Sequence, residues 1–283
     1  MSVEIPYNYT KYLFSPISQK MNFIAKECFI IGSGRSLLNL SEAEKNYLNS
    51  HPNTLAMNKY LLFYEKIGII PKALFLGDFH FPAHKVFLET IQNASQLNTK
   101  PTYYVDQYYK KLFSQPLKYL GWNLENRYQL YTKYNYLPPL YVNYPNLAFF
   151  KAEGRSGREF IWGKSLDEQL FFQRGSLSTA LNLAYIIYPD CDIKLIGIDL
   201  SYPESFYEEE LKARTDLIDT YYYERARKAE KHDTVVETKE GTVLDRFPLI
   251  QQELAQRGNK LLCCNPNSLV VTQGLCDYVP IMN

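Results

Sequence analysis

The five cysteines, Cys28, Cys191, Cys263, Cys264 and Cys276, include no CxxC pair. That argues against a tetrahedral zinc site and against a disulfide framework, and it leaves them as reduced packing residues in or near apolar runs. No apolar run approaches the length of a membrane span, so no transmembrane helix is expected. The N-terminus, MSVEIPYNYTKYLFSPISQK, lacks a basic segment followed by an apolar core, so no secretory signal is expected and a cytoplasmic protein is. There is no excess of charge: 31 Lys and Arg face 30 Asp and Glu, a net charge of +1. Such a balance gives no global field to attract nucleic acid. No internal repeat is visible either.

What is abundant is tyrosine. There are 25, and aromatic residues make up 15% of the chain. They serve equally well as half-buried packing residues or as flat surfaces for sugar rings, and composition does not choose between these.

Apolar, β-rich runs recur along the chain: ECFIIGSG, TLAMN (Thr54 to Asn58), KALFLGD (Lys72 to Asp78), PTYYVD (Pro101 to Asp106), LAFFK (Leu147 to Lys151), DIKLIGIDL (Asp192 to Leu200) and NKLLCCN (Asn259 to Asn265). Short continuous runs of this kind suit parallel strands buried on both faces. Helical patterns separate them. SEAEKNYLNS opens on the capping box Ser41 to Glu44, YLLFYEKIG stops at Gly68, SLSTALNLAYII covers Ser176 to Ile187, and DRFPLIQQELAQRG ends at Gly258. The alternation predicts an α/β fold: a Rossmann-like, mainly parallel sheet with helices on both faces. Residues 1–27 read as an N-terminal extension, 28–203 and 241–283 as a nucleotide-binding domain, and 204–240, charged and polar, as an insertion on the lid or acceptor side. A solvated helical hairpin is the plainer reading of that insertion.

Polar residues gather where strands are expected to end. Phe29 to Ser36, FIIGSGRS, places Gly32, Ser33 and Gly34 after the first strand, with Arg35 and Ser36 following. Glycines let a main chain approach an anion closely. The third glycine of the dinucleotide fingerprint is missing, and this is not a Walker loop. Asn58 ends the second strand, as a reader of ribose or base or as a helix cap. Gly77, Asp78 and His80 follow the third. Arg174, Gly175 and Ser176 precede a helix N-terminus, a second place for an anion. Gly197, Asp199, Ser201 and Tyr202 leave the next strand, and Asn265, Asn267 and Ser268 the last.

The blocks IIGSGRSL, MNKY, Arg174 to Tyr202 and CNPNSLV resemble, in order and spacing, the bacterial sialyltransferases that decorate lipooligosaccharide. KIGIIPKALFLGD and GSLSTALNLAYII are similar to the pterin-pyrophosphokinase-like proteins. The matching blocks are discontinuous and run from Phe29 to Val270. The first resemblance implies a glycosyltransferase of modified Rossmann fold. It would move an acidic sugar from a CMP-activated donor to a glycan acceptor of the bacterial surface, with inversion, without a bound metal and with no cofactor besides the donor. Carried over by position, it implies that Ser33, Asn58, Asn267 and Ser268 hold the donor, that Arg174 belongs to the active site, and that Tyr207, with Tyr202, supports the departing phosphate. Lys59, Gly77, Leu177 and Ser201 depart from that pattern, which leaves the sugar open among sialic acid, related nonulosonates and Kdo. His232 is the nearest counterpart of the family's base, with His80 the alternative. The second resemblance implies a Mg²⁺-dependent pyrophosphokinase with Asp78 and Asp199 as metal ligands; a catalytically inactive nucleotide-binding protein is a third reading. Peripheral membrane association and a homo-oligomer are both left open.

Overall fold

A computed structural model describes residues 25–77, 86, 89–90, 93–94, 96–97, 99, 101–107, 147–152, 159–202, 204–217, 232–239 and 241–282. Its frame is one sheet of eight strands: β1 (Glu27–Ile31), β2 (Thr54–Met57), β3 (Ala73–Leu76), β4 (Thr102–Asp106), β5 (Leu147–Phe150), β6 (Asp192–Ile196), β7 (Leu261–Cys263) and β8 (Asp277–Tyr278). They lie in the order β5-β4-β3-β2-β1-β6-β7-β8, and every neighbouring pair is parallel. The chain winds outward from β1 to one edge, returns beside β1 as β6, and winds outward to the other. The strand order therefore reverses between β1 and β6. In open α/β sheets ligands bind beyond the carboxyl ends of the strands flanking such a reversal. The α/β, doubly wound architecture expected from the alternating pattern is the one found.

Side chains of each inner strand alternate between two core layers, as the two-residue period of a strand requires. Cys28 and Ile30 of β1 join the layer that holds helix α2 (Ser176–Ile187) and helix α4 (Phe247–Ala255). Phe29 and Ile31 join the layer under helix α1 (Glu42–Ser50), through Leu48. Helix α1 has its capping box: Glu44 N–H donates to Ser41 Oγ at 3.3 Å and Ser41 N–H to Glu44 Oε2 at 2.8 Å. Helix α2 is buried along nearly its whole length, which its small and apolar residues permit. The described cysteines are all free, and four of the five are buried.

Three details differ from expectation. The YLLFYEKIG helix is two 3-10 turns, Asn58–Leu62 and Tyr64–Lys66, although the stop at Gly68, with φ +80°, is as expected. A 3-10 turn rises farther per residue than an α-helix, which suits a short connection between neighbouring parallel strands. The sixth strand ends at Ile196, because Gly197, with φ +64°, and Leu200, with φ +59°, turn the chain. Strand β8 is only two residues long and was not anticipated. From residues 204–240, the described Phe206, Tyr207, Leu211 and Leu217 are buried in the α1-side layer, around the short helix α3 (Glu208–Lys212), and Val235 is buried in the α2-side layer. Residues 1–24 of the expected N-terminal extension lie outside the described residues. Among the described residues no helix is long and apolar enough to cross a membrane.

Candidate functional site at the strand-order reversal

The carboxyl ends of β1 and β6 interlock. Gly32 N–H donates to Ile196 O at 2.8 Å, and Gly34 N–H to Gly197 O at 2.7 Å. A Cβ on Gly32 would run into the Ile198 side chain and Gly197 O, and one on Gly34 into the Asp199 carboxylate. A Cβ on Gly197 would stand 2.7 Å from Leu37 Cγ. Gly34 itself has φ −65°, which any residue adopts, so space and not backbone freedom requires glycine there.

Asp199 is the knot of this region. Its buried carboxylate accepts from Ser36 N–H at 2.9 Å, from Ser36 Oγ at 2.5 Å and from Asn265 Nδ2 at 2.8 Å. Its main-chain oxygen accepts from Leu269 N–H at 2.9 Å and Ser201 Oγ at 3.1 Å. Ser268 Oγ donates to Ile198 O at 2.5 Å, and Asn267 N–H to Asn265 Oδ1 at 3.0 Å. The exits of β1, β6 and β7 are thereby fastened together, with Ser268 immediately before the one-turn helix α5 (Leu269–Thr272). Ser33 O accepts from Phe206 N–H at 2.8 Å, next to the bridge between Gly34 and Ser205. Among the described residues, no hydrogen bond engages the N–H of Ser33 or of Arg35.

Beside this knot, Asn58 takes the left-handed region, with φ +48°. Asparagine tolerates it better than most residues. Its Oδ1 accepts from Gly77 N–H at 3.0 Å, and its Nδ2 donates to Ser176 Oγ at 2.6 Å. One amide thus joins the ends of β2 and β3 to the first residue of α2. Gly77 has no room for a Cβ against its neighbour Phe75. Asp78 and His80 lie outside the described residues.

Arg174, also left-handed with φ +48°, leads into α2. Its guanidinium donates to Val236 O and pairs with Asp233 at 3.8 Å. Asp233, Thr234 and Val235 form a 3-10 turn that begins just after His232. The non-glycine residues with positive φ among those described are Asn58, Arg174 and Leu200. Two follow β2 and β6 at the carboxyl edge, and the third precedes a helix that Asn58 ties to that edge. Left-handed residues of this kind cost of order 1–3 kcal/mol each and gather at functional sites.

The expected residues fall into linked groups. Gly32, Ser33, Gly34, Ser36, Gly197, Asp199, Asn267 and Ser268 form one; Asn58, Gly77 and Ser176 form another; Arg174 and His232 meet through the Asp233 turn. The Tyr207 ring is buried in the α1-side layer, stacked on Phe63 with centroids 4.6 Å apart. Tyr202, by contrast, is 61% exposed. Burial pushes the Cys263 thiol up, which keeps this cysteine beside Asn265 protonated and poorly nucleophilic. Among the described residues no group of His, Cys, Asp and Glu side chains gathers to hold a metal ion. Thr234, Asp233 and Ser205 were not singled out from the sequence; no motif marks them, because their neighbours come from distant segments. A scan of the chain against protein-family models finds no match, and neither does a search of curated proteins.

Proposed function

We propose that the protein is a glycosyltransferase that moves an acidic sugar, sialic acid or a relative such as Kdo, from a CMP-activated donor to a glycan acceptor of the bacterial surface. The observation that carries this reading is the assembly of the Gly32–Ser36 loop, Asn58 with Ser176, and Asn267 with Ser268 around the strand-order reversal. The N–H groups of Ser33 and Arg35 and the exposed Arg35 side chain suit a phosphate. In a CMP-sugar the leaving group is already good. The protein's task is to stabilise the departing phosphate with preorganised donors and to take a proton from the acceptor hydroxyl. Tyr202 is the exposed member of the tyrosine pair, which favours it over Tyr207 for contact with the phosphate. His232, half-buried at the head of its turn, is the base. The pyrophosphokinase reading asks Asp199 to hold Mg²⁺, whereas both its carboxylate oxygens already accept hydrogen bonds from the protein.

A thermal-shift panel of CMP, CTP, UDP, GDP and ATP with Mg²⁺ tests this. A ligand that binds only the folded state stabilises it by about 2.7 kcal/mol at a hundred times its Kd, enough to raise Tm by several degrees. Cytidine nucleotides are expected to give that shift selectively. No response to them, or a larger one to ATP with Mg²⁺, overturns the reading.

A further inference from the structure

Asn58 is bonded at both ends of its amide, and one end decides the other. Gly77 N–H donates to Oδ1 at 3.0 Å, and an N–H can only donate. Exchanging the amide oxygen and nitrogen would set donor against donor there, so Nδ2 is the atom that faces Ser176 Oγ, at 2.6 Å. That nitrogen also only donates. Ser176 Oγ must therefore accept from it, and the hydroxyl proton has to turn away from Asn58. Among the described residues, no acceptor meets that proton.

Three elements hold the pair in place. Asn58 lies between β2 and the 3-10 turn that follows it, at φ +48°. Gly77 follows β3, and Ser176 opens α2, whose residues from Leu177 to Tyr185 are all buried. Asn58 and Ser176 are themselves half-buried, so solvent and a dissolved ligand can reach them. The second Nδ2 hydrogen of Asn58 also meets no acceptor among the described residues. Spare donors at a half-buried place are worth most against an oxygen that carries charge and no proton, as in a phosphate or a carboxylate.

We propose that Asn58 is a positioning residue: its amide holds the Ser176 hydroxyl as a donor toward an anionic oxygen of the bound ligand, so that Ser176 makes the contact and Asn58 sets the direction of its proton. The identity of the ligand rests on the transferase reading, on which that oxygen belongs to the phosphate or to the sugar carboxylate of the donor. The direction of the proton does not rest on it.

Neutron diffraction from the perdeuterated full chain reads the Ser176 deuteron without ligand. It is expected to point away from Asn58; a deuteron directed at Asn58 overturns the proposal. Calorimetric affinities for cytidine, CMP and CMP-sialic acid read the use of that donor. Ser176→Ala is expected to weaken anionic ligands about 10- to 100-fold and to leave cytidine unchanged. A loss already present with CMP assigns the phosphate; a loss that begins with CMP-sialic acid assigns the carboxylate. Asn58→Asp is isosteric, suits the same left-handed backbone and turns the hydroxyl round, because a carboxylate only accepts. It is expected to weaken the same ligands at least as much as Ser176→Ala and again to spare cytidine. In Ser176→Ala, no loss for any ligand, or an equal loss for cytidine, overturns the proposal. A wild-type chain that binds none of the three counts against the transferase reading alone, because the neutron result still decides what Asn58 does.

Discussion

Asp199 shows how one side chain can look the same in sequence under two different roles. At the end of a strand in a nucleotide-binding pattern, an aspartate reads as a ligand for ribose, metal or hydroxyl. Here it holds the ends of β1 and β7 to that of β6 through three donors. Asp199→Asn is isosteric and tests that role. Whichever way the new amide turns, its NH₂ faces an N–H donor, either Ser36 N or Asn265 Nδ2. Turning the Asn265 amide to compensate breaks its bond from Asn267 N–H. The substitution is expected to destabilise the fold by about 1–3 kcal/mol, seen as a lower urea midpoint with an unchanged m value. A midpoint equal to wild type would show that the carboxylate does not fasten the loops. The same limit applies to the glycines. GSG is plain in the sequence, but Gly32 and Gly34 are pressed against Gly197 and Asp199 by chain some 160 residues away in the numbering. Composition cannot tell that close approach from room made for a ligand.

At the scale of elements, periodicity was a good guide where an element packs in a simple way. Helix α2 begins at Ser176 and ends at Ile187 as its apolar pattern indicates, and the strand runs from β1 to β7 are visible as buried β-rich stretches. Strand β8, two residues long, is too short to carry a period. Polar residues inside elements are harder to read, and Asn182 is the case in point. It sits on a fully buried turn of α2, where an amide would ordinarily be unfavourable. Its Oδ1 accepts from Gly163 N–H at 2.9 Å and Phe171 N–H at 2.8 Å, and its Nδ2 donates to Gly163 O at 2.8 Å. The segment from 159 to 173 has little regular structure of its own, so this side chain stands in for secondary-structure partners. Asn182→Ala is expected to cost about 3 kcal/mol and to remove hydrogen-exchange protection from the Gly163 and Phe171 amides ahead of the rest of α2. Uniform loss of protection across the helix would instead mean that α2 itself had failed.

The two wings of the sheet join at the β1–β6 ladder, which pairs Glu27 with Asp192 through to Ile31 with Ile196. The candidate site occupies one end of this seam, and a charged network lies toward the other. Lys194, buried in β6, pairs with Glu27 at 2.5 Å; Tyr47 of α1 donates to Glu27 at 2.5 Å; His51, at the end of α1, lies 3.7 Å away. Burial pulls toward a higher Glu27 pKa, but the hydrogen bonds from Lys194 and Tyr47 and the nearby positive charge outweigh it, so the carboxyl lies below its ordinary range. Burial holds His51 below its usual 6.5, against the opposing pull of Glu27. Both depressed values act in the same direction with pH. In the unfolded chain His51 takes up its proton near 6.5, while in the fold it resists, so stability declines as pH falls below 6.5 toward the folded value. Glu27 stabilises the fold above its unfolded pKa of about 4.5, and that contribution is lost as pH falls through its lower folded value. Urea midpoints measured from pH 8 to pH 3 are therefore expected to decline in two stages. His51→Gln should flatten the upper stage and leave the lower one. Glu27→Gln should lower the midpoint while the wild-type carboxylate is ionised, because it strands Lys194 in the interior, and should flatten the lower stage as the two proteins converge in acid. If His51→Gln leaves the decline below pH 6.5 unaltered, the seam between the two wings is not what acid weakens first.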